Sequence, residues 1–98
     1  MIGLSNTNRQ IIIEILRRYL LDGQKVYFFG SRTKENYKPF SDVDIFVEGN
    51  KLSLQQLLSL KEDFSESDLP YFVDILQEDS CEQSFLEMIK TDLVELEY

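Results

Sequence analysis

The sequence predicts an α/β (α+β) fold: a small mixed β-sheet flanked by helices. Three observations predict it. Segments with helical periodicity alternate with short apolar runs of strand character. The second and third of those runs are joined through a helical segment, which makes them parallel neighbours in one sheet. The chain has 98 residues, which suits one domain, residues 1–98, with a single modest core.

The elements follow in order. Residues from Thr7 to Leu21 predict the first helix, with Ile12, Leu16, Tyr19 and Leu20 on one face and Glu14 spaced to pair with Arg18. Ser5 to Asn8 offer several N-caps, and Asp22-Gly23 ends the helix. Lys25 to Phe29 is the first strand. Ser41 to Glu48 is the second, closed by Gly49-Asn50. Ser53 opens the next helix with Gln56 three residues on, a capping box. Leu54, Leu57 and Leu58 are its inner stripe, with Leu60 and Phe64 beside them; sheet packing and a partner-binding face are both readings of that stripe. Pro70 to Leu76 is the third strand, with proline at its start, where it is tolerated. Ser80 and Gln83 form a second capping-box pattern ahead of a helix that carries Phe85, Met88 and Ile89. Leu93 to Tyr98 alternates and reads as a short edge strand.

The most informative stretch lies between the first two strands. Gly30-Ser31, ten residues, then Asp42-Val43-Asp44 joins a turn after one strand to two carboxylates at i and i+2 of the next. Strand side chains alternate between faces, so Asp42 and Asp44 point the same way. Asp is depleted in strands, and like charges on one face repel. A divalent cation removes that conflict, since hard oxygen ligands suit Mg²⁺ and Mn²⁺. Asp42 alone also reads as a turn residue after Pro39-Phe40-Ser41. Asp44 lies between Val43 and Ile45, inside the apolar run, where a turn explanation fails.

The third strand repeats the oddity. Tyr71-Phe-Val-Asp-Ile-Leu76 is apolar except for Asp74. In a parallel pair, Val43, Ile45 and Val47 face the helices together with Tyr71, Val73 and Ile75. Asp42, Asp44 and Asp74 then share the other face, an open one flanked by Phe46 and Phe72. Asp74 taken alone reads as an exposed strand residue; a third acid at matching parity favours a site. Gly30 and Ser31, just after a strand, can offer backbone N–H groups and a hydroxyl to a phosphate. Metal with phosphate points to nucleotide chemistry.

Composition excludes other classes. The chain has no histidine, which removes Ser-His-Asp and Cys-His catalysis and the usual His-containing zinc sites. Cys81 is its one cysteine, so no internal disulfide or multi-cysteine metal site exists; it reads as a small buried side chain near a helix start. The net charge of −8 argues against stable nucleic-acid binding and favours a basic protein partner or solubility. Glu14, Arg17 and Arg18 interrupt the first apolar run, so no signal peptide is expected, and no window reaches membrane-spanning length. No membrane association and a cytoplasmic location are the expectation.

Gly30-Ser31 with Asp42-Val43-Asp44 at this spacing, and Asp74 on a later strand, resembles the minimal nucleotidyltransferases of the DNA polymerase β superfamily. The resemblance spans nearly the whole chain. It departs at Glu35, where such proteins often carry the glycine of Gly-Ser-Arg-x-x-Gly; a glycine there would permit positive φ, so the loop is expected to take another shape. The resemblance implies a DNA polymerase β-like fold and a Mg²⁺-dependent nucleotidyltransferase. Asp42, Asp44 and Asp74 would be the metal-binding and catalytic residues for two Mg²⁺ ions, with Mn²⁺ as a substitute. Asp74 would also help deprotonate the acceptor. Gly30, Ser31 and Arg32 would be the nucleotide-binding residues, Arg32 reading equally as a solvated surface arginine. The resemblance also implies ATP as substrate and a HEPN-domain toxin as partner in a hetero-oligomer, with AMP transferred to a toxin tyrosine. Two function classes stand: an adenylylating antitoxin, and a non-catalytic antitoxin that neutralises its toxin by complex formation. A small-molecule nucleotidyltransferase is a third and weaker option.

Overall fold

The computed structural model describes residues 4–20, 24–30, 42–49, 52–78 and 81–96. Helix α1, Asn6–Arg17, starts where the Ser5 hydroxyl accepts the Asn8 N–H at 3.1 Å, satisfying one of the donors a helix start leaves open. Strand β1 is Val26–Phe29 and strand β2 is Val43–Val47. Helix α2, Leu54–Glu66, opens with the complete capping box: Gln56 N–H donates to Ser53 Oγ at 3.1 Å, and Ser53 N–H donates to Gln56 Oε1 at 2.9 Å. Strand β3 is Val73–Gln77, helix α3 is Gln83–Ile89, and a 3-10 turn over Lys90–Asp92 leads to strand β4, Val94–Leu96.

Among the described residues the four strands form one mixed sheet in the order β3-β2-β1-β4. β1 is antiparallel to both β2 and β4, and β2 is parallel to β3. The parallel pairing and the edge position of the last strand are as expected from the sequence.

The two faces of the sheet carry different loads. Val26 and Phe28, with Val43, Ile45, Val47 and Ile75, pack beneath α1 and α2 against Ile12, Leu16, Leu60 and Phe64. Eight of these side chains are the largest fully buried ones among the described residues, each stabilising the fold by about 1.5–3 kcal/mol through removal from water. The opposite face is only partly open. Phe29, Phe46 and Ile89 form a second cluster with Tyr27, Leu76, Phe85 and Leu93, so α3 covers the half of that face around Phe46.

Several details depart from expectation. α1 ends at Arg17 rather than Leu21, and β3 begins at Val73 rather than Pro70. Arg18 bonds Asp63 of α2 at 3.3 Å instead of pairing with Glu14, and the Tyr19 hydroxyl donates to the same carboxylate, which raises the Tyr19 pKa. One acid thereby ties the end of α1 to α2. The buried line of α2 is Leu57, Leu60 and Phe64, while Leu54 and Leu58 are 72% and 58% exposed. At 3.6 residues per turn the first three fall within about 60° of one another, and Leu58 lies about 100° round from Leu57. α3 has Glu82 at its N-cap with no side-chain cap bond; Ser80 of the expected capping box lies outside the described residues, as does the expected stop Asp22-Gly23. Met88 is exposed, and Cys81 is half-buried with its thiol donating to the Gln77 carbonyl.

Gln77 is a buried polar residue of the core, and its Oε1 accepts the Leu52 N–H at 2.6 Å. It fastens the end of the β2–α2 connection to the end of β3. Ser53→Ala removes one of the two capping bonds and is expected to cost about 1 kcal/mol in urea unfolding, with an unchanged m-value.

Candidate active site

Asp44 and Asp74 stand directly opposite each other on β2 and β3, the one acidic pair in a ladder whose other partners are Val43 with Val73, Ile45 with Ile75, Phe46 with Leu76 and Val47 with Gln77. The alternation of each strand turns both carboxylates away from α1 and α2. Asp44 is half-buried and Asp74 exposed. Asp42 lies just before β2 and is exposed at the same parity. On the other side of Asp44, Phe29 of β1 is its antiparallel partner.

Gly30 follows Phe29 with φ of 81°, a conformation that L side chains rarely adopt. A Cβ on Gly30 would collide with the Asp44 carboxylate. Two independent constraints, backbone conformation and space, therefore require glycine here. From sequence, Gly30 is expected only to cradle phosphate. The signal for its closeness to Asp44 was the hairpin register between the first two strands, which the long connection concealed.

Burial beside Phe29 and Gly30 pushes the Asp44 carboxyl above its ordinary value, and the charges of Asp74 and then Asp42 push it further in the same direction. The charges of Asp74 and Asp42 thus converge on Asp44. Among the described residues, no three acidic, Cys or His side chains close into a ready-made metal cage as they stand. The donor chemistry nonetheless fits a hard divalent cation: carboxylate oxygens on adjacent strands, sharing one face and repelling each other. Ser31 and Arg32, expected to bind nucleotide, and Glu35 lie outside the described residues.

The far end of the same face is differently built. Tyr27 donates to Glu48 Oε2 at 2.8 Å, which pushes the phenol up to about 12. Its ring lies 6.3 Å from that of Phe46, centroid to centroid, and Phe29 meets Phe85 edge-on at 6.3 Å. Aromatic packing closes this end and leaves the carboxylate end exposed. The apolar Phe29, Phe46 and Leu76 at acidic-face parity were the signal that half of the face needed a cover.

The nucleotidyltransferase domain family model matches residues 9–96 of the chain. The chain belongs to the nucleotidyltransferase family. A relative from Haemophilus influenzae described as a probable protein adenylyltransferase MntA is 36% identical over 80 residues, covering 81% of this chain and 70% of the relative. Among solved structures, a toxin–antitoxin complex with AMP-PNP has a chain that superposes with a TM-score of 0.75 at 26% identity, over 92% of this chain and 73% of that one. A Shewanella oneidensis complex of a tri-AMPylated HEPN toxin with its MNT antitoxin matches at a TM-score of 0.71 and 24% identity, over 96% and 72% of the two chains, a likeness of fold. The fold is thus that of a minimal nucleotidyltransferase. Among the described residues no helix is long and apolar enough to cross a membrane.

The electrostatics of this nucleotidyltransferase give a signed expectation. The raised carboxyl of folded Asp44 keeps its proton to higher pH than in the unfolded chain, so stability falls as pH rises through the interval above the ordinary value of 3.8. Asp44→Asn removes that loss. Without metal, the variant should melt at a higher temperature than wild type at pH 7, and the difference should vanish below the unfolded value. Gly30→Ala should instead be destabilised at every pH, by about 1 kcal/mol or more, because the backbone strain does not titrate.

Proposed function

We propose that this nucleotidyltransferase transfers AMP from ATP to a hydroxyl of a partner protein, a tyrosine of a cognate HEPN-type ribonuclease toxin, and acts as its antitoxin. The observation that carries the reading is the Asp44–Asp74 pair on parallel strands with Gly30 against Asp44, in a chain belonging to the nucleotidyltransferase family. The relative described as a protein adenylyltransferase supports protein as the acceptor, and the toxin–antitoxin complex with an ATP analogue supports both the substrate and the partner class.

In this reading Asp42, Asp44 and Asp74 hold Mg²⁺, with Mn²⁺ as a substitute. When bound, such ions stabilise the negative charge that builds on the reacting phosphate and on the pyrophosphate that leaves. The protein's own residues do the rest. Gly30 has no side chain to obstruct the phosphates, and Ser31 and Arg32 are assigned to them. Asp74, the most exposed of the β2–β3 pair, takes the proton from the acceptor hydroxyl as its oxygen bonds to the α-phosphorus. Phe29 and the α3 cluster keep water from the buried flank of Asp44. Placement in the cytoplasm, beside ATP and an intracellular ribonuclease, belongs to the same proposal.

Incubation with α-labelled ATP, Mg²⁺ and the cognate HEPN-domain protein should label that protein on tyrosine. Asp44→Asn, nearly isosteric, should remain folded and lose at least about 100-fold in transfer, the scale expected when several kcal/mol of metal-based charge stabilisation is weakened. Neutralisation of the toxin without any labelled product would favour the binding-only antitoxin instead.

A further inference from the structure

Phe72 is a large apolar side chain that folding leaves outside: it is 83% exposed. Its backbone is nevertheless held, because the Phe72 carbonyl accepts the Val43 N–H at 2.9 Å. Continuing the β2–β3 register one residue back from Val43 and Val73 sets Phe72 beside Asp42, and the two-residue period puts it on the same face as Asp74. A groove of about 400 Å³ begins here, with Lys61, Phe64, Leu69, Tyr71, Phe72 and Asp74 among its lining residues.

The position of this groove matters as much as its lining. β3 is an edge strand of the described sheet, and Gly30 follows β1, two strands away. Asp74 lines the groove, whereas Asp44 and Gly30 do not. The groove therefore meets the carboxylate site through Asp74 alone, on the side opposite the Gly30 turn. Of the residues lining it, Phe72 and Asp74 project on the face away from α2, and an exposed aromatic ring beside a carboxylate is complementary to a phenol, which has an apolar ring and a polar tip. A serine or threonine hydroxyl would leave the Phe72 ring unused.

We propose that this groove is the acceptor subsite and that it takes a tyrosyl side chain of the partner protein, its ring against Phe72 and its hydroxyl at Asp74. The proposal rests on the protein-adenylylating function argued above. In the step it serves, the phenolic oxygen bonds to the α-phosphorus and the bond from that phosphorus to the bridging oxygen breaks. Pyrophosphate departs with the electron pair, and the phenolic proton passes to the Asp74 carboxylate. Phe72 is a positioning residue: it holds the ring and takes no part in proton or phosphoryl movement.

The test is a steady-state measurement of AMP transfer to the cognate HEPN-domain protein, with its concentration varied at saturating ATP and Mg²⁺. Phe72→Ala, at an exposed position, should melt like wild type and should raise the KM for the protein acceptor about tenfold, as expected for loss of one aromatic contact. Its Kd for Mg-ATP should be that of wild type, and Phe72→Tyr should restore the acceptor KM. An unchanged acceptor KM in Phe72→Ala, with transfer intact, overturns the subsite and leaves the function standing. Weakened Mg-ATP binding in that variant overturns it by moving Phe72 to the nucleotide side. Self-association of wild type that Phe72→Ala abolishes overturns it in favour of a second copy of this chain. A wild type that transfers no label removes the underlying function and the subsite with it.

Discussion

The parallel register between β2 and β3 fixes what each face of the sheet carries. It sets Val43 against Val73 and Ile45 against Ile75 on the face buried by α1 and α2, and by the same geometry sets Asp44 against Asp74 on the other. A slip of one residue would turn Ile45 and Ile75 out of the core and the two acids into it. The repulsion between the carboxylates is thus imposed by the apolar face and offset there, since each fully buried aliphatic or aromatic side chain contributes about 1.5–3 kcal/mol. A site that is unfavourable by itself persists because the core admits no other register. Gln77 strengthens this arrangement by tying the crossover back to β3 through Leu52.

Around that pair the second face is divided between structure and chemistry. α3 lies over Phe29, Phe46 and Leu76, and the Tyr27–Glu48 hydrogen bond closes the far end. The carboxylate end stays accessible, bounded by the Gly30 turn on one side and by the Phe72 groove on the other. Asp44 sits at the boundary between the two halves. It is dry enough on the Phe29 side for its carboxyl to be raised and open enough on the Asp74 side to be reached. A nucleotide at the glycine turn and an acceptor at the β3 edge would approach the carboxylates from opposite directions, as a transfer between two bound groups requires.

Most of this architecture was legible from residue type and period. Asp44 and Asp74, each inside an apolar run, gave away that the two acids share a face, and the helix between their strands gave away the parallel pairing. Ser53 and Gln56 gave away the start of α2. The failures have physical causes. Leu54 and Leu58 satisfy a helical apolar stripe as well as Leu57 does, and only the docking angle of α2 on the sheet decides which leucines are buried. Arg18 had Glu14 within one helical turn, but its partner Asp63 lies 45 positions away and was invisible to local pairing rules. The cover that α3 provides over Phe46 was implied by three apolar residues at acidic-face parity, yet no local rule says which element supplies it. The glycine requirement at Gly30 combines a turn conformation with a cross-strand contact, and only the first half can be read from sequence.

In the proposed reaction the carboxylate face binds nucleotide through a shared divalent cation. Calorimetric titration of ATP into the wild-type protein, with Mg²⁺ and then with excess chelator, tests it most directly. Binding should be readily measured with Mg²⁺, absent or far weaker with chelator, and Mg²⁺ alone should bind more weakly than it does in the presence of ATP. ATP binding of equal strength in both conditions, or none in either, would contradict the claim.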